Sequence, residues 1–185
     1  MILLLGIVAG LVASLVFWRS LSALSRVHFR WPWLVFLGLG LQVLLFSRAW
    51  KSIPYLETLW HGCYVISMVS VAIFCVANWR VPGIPLMSLG LFLNGAAILA
   101  NGGSMPASME ALRLAGLAST PQEAAAAISC NSVVATSETP LWFLGDIWYI
   151  PASWPLSNVF SVGDLTLGLG GAWFVFVNAA PPAST

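Results

Sequence analysis

Two Gly-Asp pairs, Gly145-Asp146 and Gly163-Asp164, stand 18 positions apart in a chain of 185 residues that is only 7% charged. Two carboxylates brought close resist double ionisation and share a proton, and such a pair can activate water while protonating a leaving group. Asp146 and Asp164 are therefore the candidate catalytic residues, with peptide-bond cleavage as the chemistry they suit. A structural role competes at both positions. Ser161-Val162-Gly163-Asp164 is close to a capping box, with Ser161 as N-cap and Asp164 at the third helical position, where the helix dipole favours negative charge. Asp146, between Gly145 and an aromatic stretch, can serve simply to fix a turn.

Other polar residues offer less. His61, near the outer end of the third apolar run, could ligate a haem iron or a chlorin magnesium and is the candidate cofactor-binding residue, but His28 falls in the first, cytoplasmic loop and cannot complete an axial pair at one depth. Beside Trp60 and Tyr64, a lone histidine such as His61 is more often an interfacial hydrogen-bonder. Asn94 and Gln42 sit inside apolar runs, where hydrogen bonding between helices is their commoner role. Cys63, Cys75 and Cys130 suggest neither a disulfide framework nor metal spacing. No cofactor and no metal is predicted.

The elements that must hold these groups are apolar runs. With 59% hydrophobic residues and a mean hydropathy of +0.92, the composition predicts an all-α integral membrane protein. One membrane domain over 1–185 is expected, with five transmembrane helices at approximately 2–18, 31–46, 56–79, 84–100 and 162–177 and a partly helical extracytoplasmic loop over 101–161. The loop after the first run carries Arg19, Arg26, His28 and Arg30 with no acidic residue, so the positive-inside rule makes it cytoplasmic and puts the N-terminus outside and the C-terminus inside. The absence of a cleavage site after the first run argues for a retained span and against a removed signal peptide. A net charge of +1, from seven Lys/Arg against six Asp/Glu, excludes nucleic acid as a partner. The expected partners are the lipid bilayer and other membrane-protein subunits, the latter through glycine faces in Leu37-Gly38-Leu39-Gly40 and Leu167-Gly168-Leu169-Gly170-Gly171.

Local signals are sharper within 101–161. Asn101-Gly102-Gly103-Ser104-Met105-Pro106 predicts a tight turn that glycine permits. Ser108 offers an N-cap to a short helix over 109–114 that Gly116 ends, and Thr120-Pro121-Gln122-Glu123 combines an N-cap, a first-turn proline and a capping glutamate.

The motifs Asn101-Gly102-Gly103-Ser104-Met105-Pro106, Leu144-Gly145-Asp146 and Ser161-Val162-Gly163-Asp164, in that order, resemble the motif set of an uncharacterised bacterial multi-pass membrane family, a domain of unknown function. That resemblance implies location in the bacterial cytoplasmic (inner) membrane and implies no activity. A local resemblance to lipoprotein signal peptidase, a membrane aspartyl protease, touches Asp146 and Asp164. Ser161 and Gly163 replace the Asn and Ala of that family's second motif, while Phe143 and Ile147 stand where its first motif has Asn and Arg. Two functions follow as expectations: a non-catalytic accessory or scaffold subunit of a larger membrane assembly, or a membrane-surface aspartyl peptidase using Asp146 and Asp164.

Overall fold

The structure, a computed structural model, describes residues 1–45, 56–120, 122–124 and 132–179, and within the third helix it leaves out the side chains of 56–58, 60 and 61. Its helices are α1 (Ile2–Val16), α2 (Trp33–Leu45), α3 (Leu56–Ala77), α4 (Ile84–Ala100), α5 (Met109–Leu114) and α6 (Val162–Asn178). Among the described residues four strands accompany them: β1 (Met105–Ala107), β2 (Ser132–Val134), β3 (Trp148–Ile150) and β4 (Asn158–Phe160). Proline and glycine set several boundaries. Pro85 occupies the first turn of α4, where its missing N–H has no helical partner to lose. At the far end of α4, Gly102 and Gly103 take positive φ, which lets the Gly103 N–H donate to the Ile98 carbonyl and close the last turn.

The expectation of an all-α protein with five transmembrane helices is corrected on two counts. Segment 101–161 contributes all four strands, so the chain is a mixed α and β structure. Among the described residues no helix is long and apolar enough to cross a membrane. Helices α1, α2, α4 and α6 have 15, 13, 17 and 17 residues. At 1.5 Å per residue the longest of these reaches about 26 Å against a hydrocarbon core of about 30 Å. Helix α3 has 22 residues, but Glu57, Thr58, His61, Ser67 and Ser70 interrupt it. The apolar runs had gained length from residues that leave the helix, such as Phe17, Trp18, Trp31, Asn78 and Trp79. The multi-pass inner-membrane location and its N-outside topology are overturned with the spans.

The chain forms two compact units, Met1–Leu89 with Thr166–Thr185, and Gly90–Leu165. In the first, helices meet through glycine. A Cβ on Gly6 would strike the backbone of Gly168, one on Gly10 would come within 2.6 Å of the Ala172 carbonyl oxygen, and one on Gly170 within 2.6 Å of Met87. Gly38 gives α2 the same approach to Ser67 and Val71 of α3, where Gln42 also donates to Ser67 Oγ at 3.4 Å. The glycines proposed as partner faces are thus mostly consumed inside the chain, and Gly40 alone of them has nothing within 4 Å of its Cβ position.

Polar contacts close one end of this unit. The Arg19 guanidinium donates to the Val177 and Ala179 carbonyls at the C-terminus of α6 and lies over the Phe176 ring. Asn78 accepts from the Arg30 N–H at 2.7 Å and donates to the Arg30 carbonyl at 2.9 Å, while Asn178 donates to the Pro82 carbonyl. Phe29 packs against both Phe74 and Phe174.

The second unit is built around β1. It pairs in parallel with β2 in the register Met105 to Ser132, and β3 pairs antiparallel with β4, Trp148 opposite Phe160. Ser108 caps α5 by accepting the Ala111 N–H, and Gly116, at φ +69, ends the turn beyond it. Ala107, Leu112, Ala118 and Ala124 form a buried cluster onto which Met109, Val134 and Val159 pack.

The glycine contacts give a paired test. Gly6→Val is expected to lower the unfolding free energy by about 2–3 kcal/mol, because the facing group is backbone and cannot rotate aside. Gly40→Ala, in open space within a helix, is expected to raise it by roughly 0.5–1 kcal/mol. Denaturant titration of the two variants measures both.

Candidate functional site

Asp164 is held by its own helix start. The Ser161 Oγ accepts the Asp164 N–H at 2.9 Å and Asp164 Oδ2 accepts the Ser161 N–H at 3.3 Å, which completes a reciprocal capping box. Ser161 is fully buried, and its hydroxyl donates to Asn94 Oδ1 at 2.7 Å. Asn94, from α4, returns the contact by donating through Nδ2 to Asp164 Oδ1 at 2.8 Å. Three side chains thus close a ring, and both carboxylate oxygens of Asp164 are engaged. Gly163 makes the insertion possible, since a Cβ there would collide with the Asn94 amide and stand 2.8 Å from the Gly90 carbonyl oxygen.

Asp146 is placed from a different direction. Its N–H donates to the Pro106 carbonyl at 2.8 Å and its carbonyl accepts the Ser108 N–H at 3.0 Å, so it forms a parallel bridge with Ala107 beside β1. Gly145 must be small because a Cβ would run into the Pro106 carbonyl and to within 3.0 Å of the Trp142 carbonyl oxygen. The Asp146 carboxyl is pushed up to about 7, first by burial and second by the negative charge of Asp164. No side-chain hydrogen bond reaches it from another described residue.

The structure therefore brings Asp146 and Asp164 into electrostatic range within one unit. They differ in environment, Asp164 being fixed by three hydrogen-bonding groups and Asp146 being desolvated. Asp146 can hold a proton near neutral pH, a property that acid–base chemistry uses. His61 lies in α3 with its side chain outside the described residues, so its suggested ligation is not placed. Cys130 is also outside them, while Cys63 and Cys75 are free thiols. Among the described residues no group of three or more His, Cys, Asp or Glu could hold a metal ion. Sequence reasoning found Ser161 as a cap and Asn94 as an interhelical donor, but did not join them to the site. Nor did it find Pro106 as the anchor of Asp146; its only signal was the position of Pro106 at the end of the Asn101–Pro106 turn.

The raised Asp146 carboxyl fixes the sign of a pH dependence. The folded state holds a proton at Asp146 up to about pH 7, whereas the unfolded chain releases it near the ordinary value of 3.8. The stabilisation is complete below the unfolded value and is lost as pH rises from about 4 through about 7. Asp146→Asn is expected to remove this fall, roughly 2–4 kcal/mol, from unfolding free energies measured between pH 4 and 8.

Comparison with known proteins supplies relatives and no activity. An uncharacterised protein of Thermotoga maritima is 29% identical over 148 residues, which is 79% of this chain and 78% of the relative. No solved structure matches the chain. The model of a family of unknown function, DUF5317, matches residues 26–176, which takes in Asn94, Pro106, Asp146, Ser161 and Asp164. The chain belongs to that family of unknown function.

Proposed function

We propose that the protein is a non-catalytic accessory or scaffold subunit that packs against another polypeptide in a larger assembly. The observation that carries this reading is the outer ridge of α2. Phe36, Leu39 and Val43 are 75%, 52% and 73% exposed and recur at helical spacing on one face. Gly40 lies among them with open space where a Cβ would stand, so a partner's backbone can approach closely. Leu4, Val8, Val12 and Leu15 make a second exposed apolar ridge on α1. Contiguous apolar surface of this kind marks interaction sites more often than free surface.

A second reading, an aspartyl hydrolase, is favoured by one observation: the Asp146 carboxyl, pushed up to about 7 beside Asp164. Against it, Asp164 has both oxygens engaged in the cap and the Asn94 contact.

A photo-reactive side chain placed at Val43 of the full-length protein in its native cells tests the first reading. One cross-linked species of defined mass is expected, and Phe36→Asp should remove it. If Val43 yields only uncross-linked protein, the scaffold reading falls. Asp146→Asn separates the two readings, because it should leave the cross-linked species intact in a scaffold and abolish function in a hydrolase.

A further inference from the structure

One end of the first unit is uniformly basic. Arg19 reaches the C-terminus of α6, Arg30 is clasped by Asn78 just past the end of α3, and Arg80 follows two residues later. Arg26 and His28 lie on the connection between Arg19 and Arg30. The only acidic residue among the described residues of this unit is Glu57, in the first turn of α3. Twenty residues of helix separate it from Ala77, a distance of about 30 Å. No carboxylate in the unit's described residues therefore neutralises the basic end.

A groove of about 640 Å³ opens there, lined by Arg30, Trp31, Val69, Ile73, Val76 and Ala77. Val69, Ile73 and Val76 recur at helical spacing, so the apolar wall runs along roughly two turns of α3, about 11 Å. Val69, Ile73 and Val76 are all exposed. At the head of this wall the Arg30 guanidinium is exposed and makes no ion pair or side-chain hydrogen bond with another described residue. Its backbone, by contrast, is fixed. Asn78, itself buried, holds both the N–H and the carbonyl of Arg30, and the next residue, Trp31, is kept at φ 52, a conformation costly for a bulky side chain. A cation on a fixed backbone is thus presented, without an ion-pair partner among the described residues, at one end of an open apolar groove.

We propose that this groove binds a free long-chain carboxylate. The planar guanidinium of Arg30 takes the carboxylate through two parallel N–H donors, and the acyl chain lies along Val69, Ile73 and Val76 with the Trp31 indole over its upper end. A single fork suits a single planar carboxylate, and the surrounding Arg19 and Arg80 add the long-range attraction. Neither an uncharged amphiphile nor a short carboxylate satisfies both halves of the groove.

Isothermal titration of the full-length protein with dodecanoate, below micelle formation, tests this. Saturable binding is expected, with dodecanol and acetate each at least tenfold weaker. Arg30→Gln should weaken dodecanoate at least tenfold and Ile73→Asp should abolish its binding, whereas Arg113→Gln, on the other unit, should leave it unchanged. Equal affinity for dodecanol and dodecanoate overturns the proposal, as does full affinity in Arg30→Gln or no saturable binding at all. The comparison of dodecanoate with dodecanol needs only the wild-type protein, so the test stands even if a variant fails to fold.

Discussion

Backbone contact along α6 is the constraint on which the first unit depends. A Cβ on Gly168, Gly170 or Gly171 would stand 3.0, 2.6 or 2.9 Å from the nearest atom of Ile2, Met87 or Leu3, and one on Gly6, Gly10 or Gly83 would strike α6 itself. Close approach of this kind shortens the separation between axes and brings dispersion contacts of many atoms into play. It also explains why the polar contacts at the basic end are short-range and specific: Arg19 can reach the last carbonyls of α6 only because α1 lies directly against that helix.

The same helix begins in the second unit under a different rule. There the start of α6 is fixed by hydrogen bonding, with Ser161, Asn94 and Asp164 each satisfying another. A ring in which every member is satisfied tolerates burial, since none of its groups is left without a partner. The cost appears at Asp146, which is desolvated beside that fixed negative charge and keeps its proton to about pH 7. The unusual group in this site is therefore the aspartate with the fewest contacts.

Legibility in the sequence followed the distance over which each interaction acts. Ser108 and Ser161 as N-caps, Gly116 as a helix end and the glycine turn at Gly102 and Gly103 are local, and their residue types alone specify them. Glu123 is a partial case: its amide is capped by Thr120 as the motif implies, but its carboxylate accepts from the Ser119 N–H. The strands were invisible because each has three residues, too few to display an alternation. The membrane reading failed because composition counts apolar residues without seeing where the helix ends, and turns at Trp18, Trp31 and Trp79 had been added to the helical lengths. The state of Asp146 was out of reach for another reason. It depends on Pro106, forty positions earlier, and on Asp164, eighteen later.

The double pairing of β1 bears on the order in which the chain folds. Its partners, β2 on one side and Asp146 on the other, lie 27 and 39 positions downstream, from Met105 to Ser132 and from Ala107 to Asp146. Neither partner has been synthesised when β1 is, and at about 5–20 residues per second they follow some seconds later. Each contact then closes a long loop before any hydrogen bond rewards it, which slows the step relative to helix formation. Sequence separation thus makes the bridge that seats Asp146 a slower step than the closing of any helical turn in the chain.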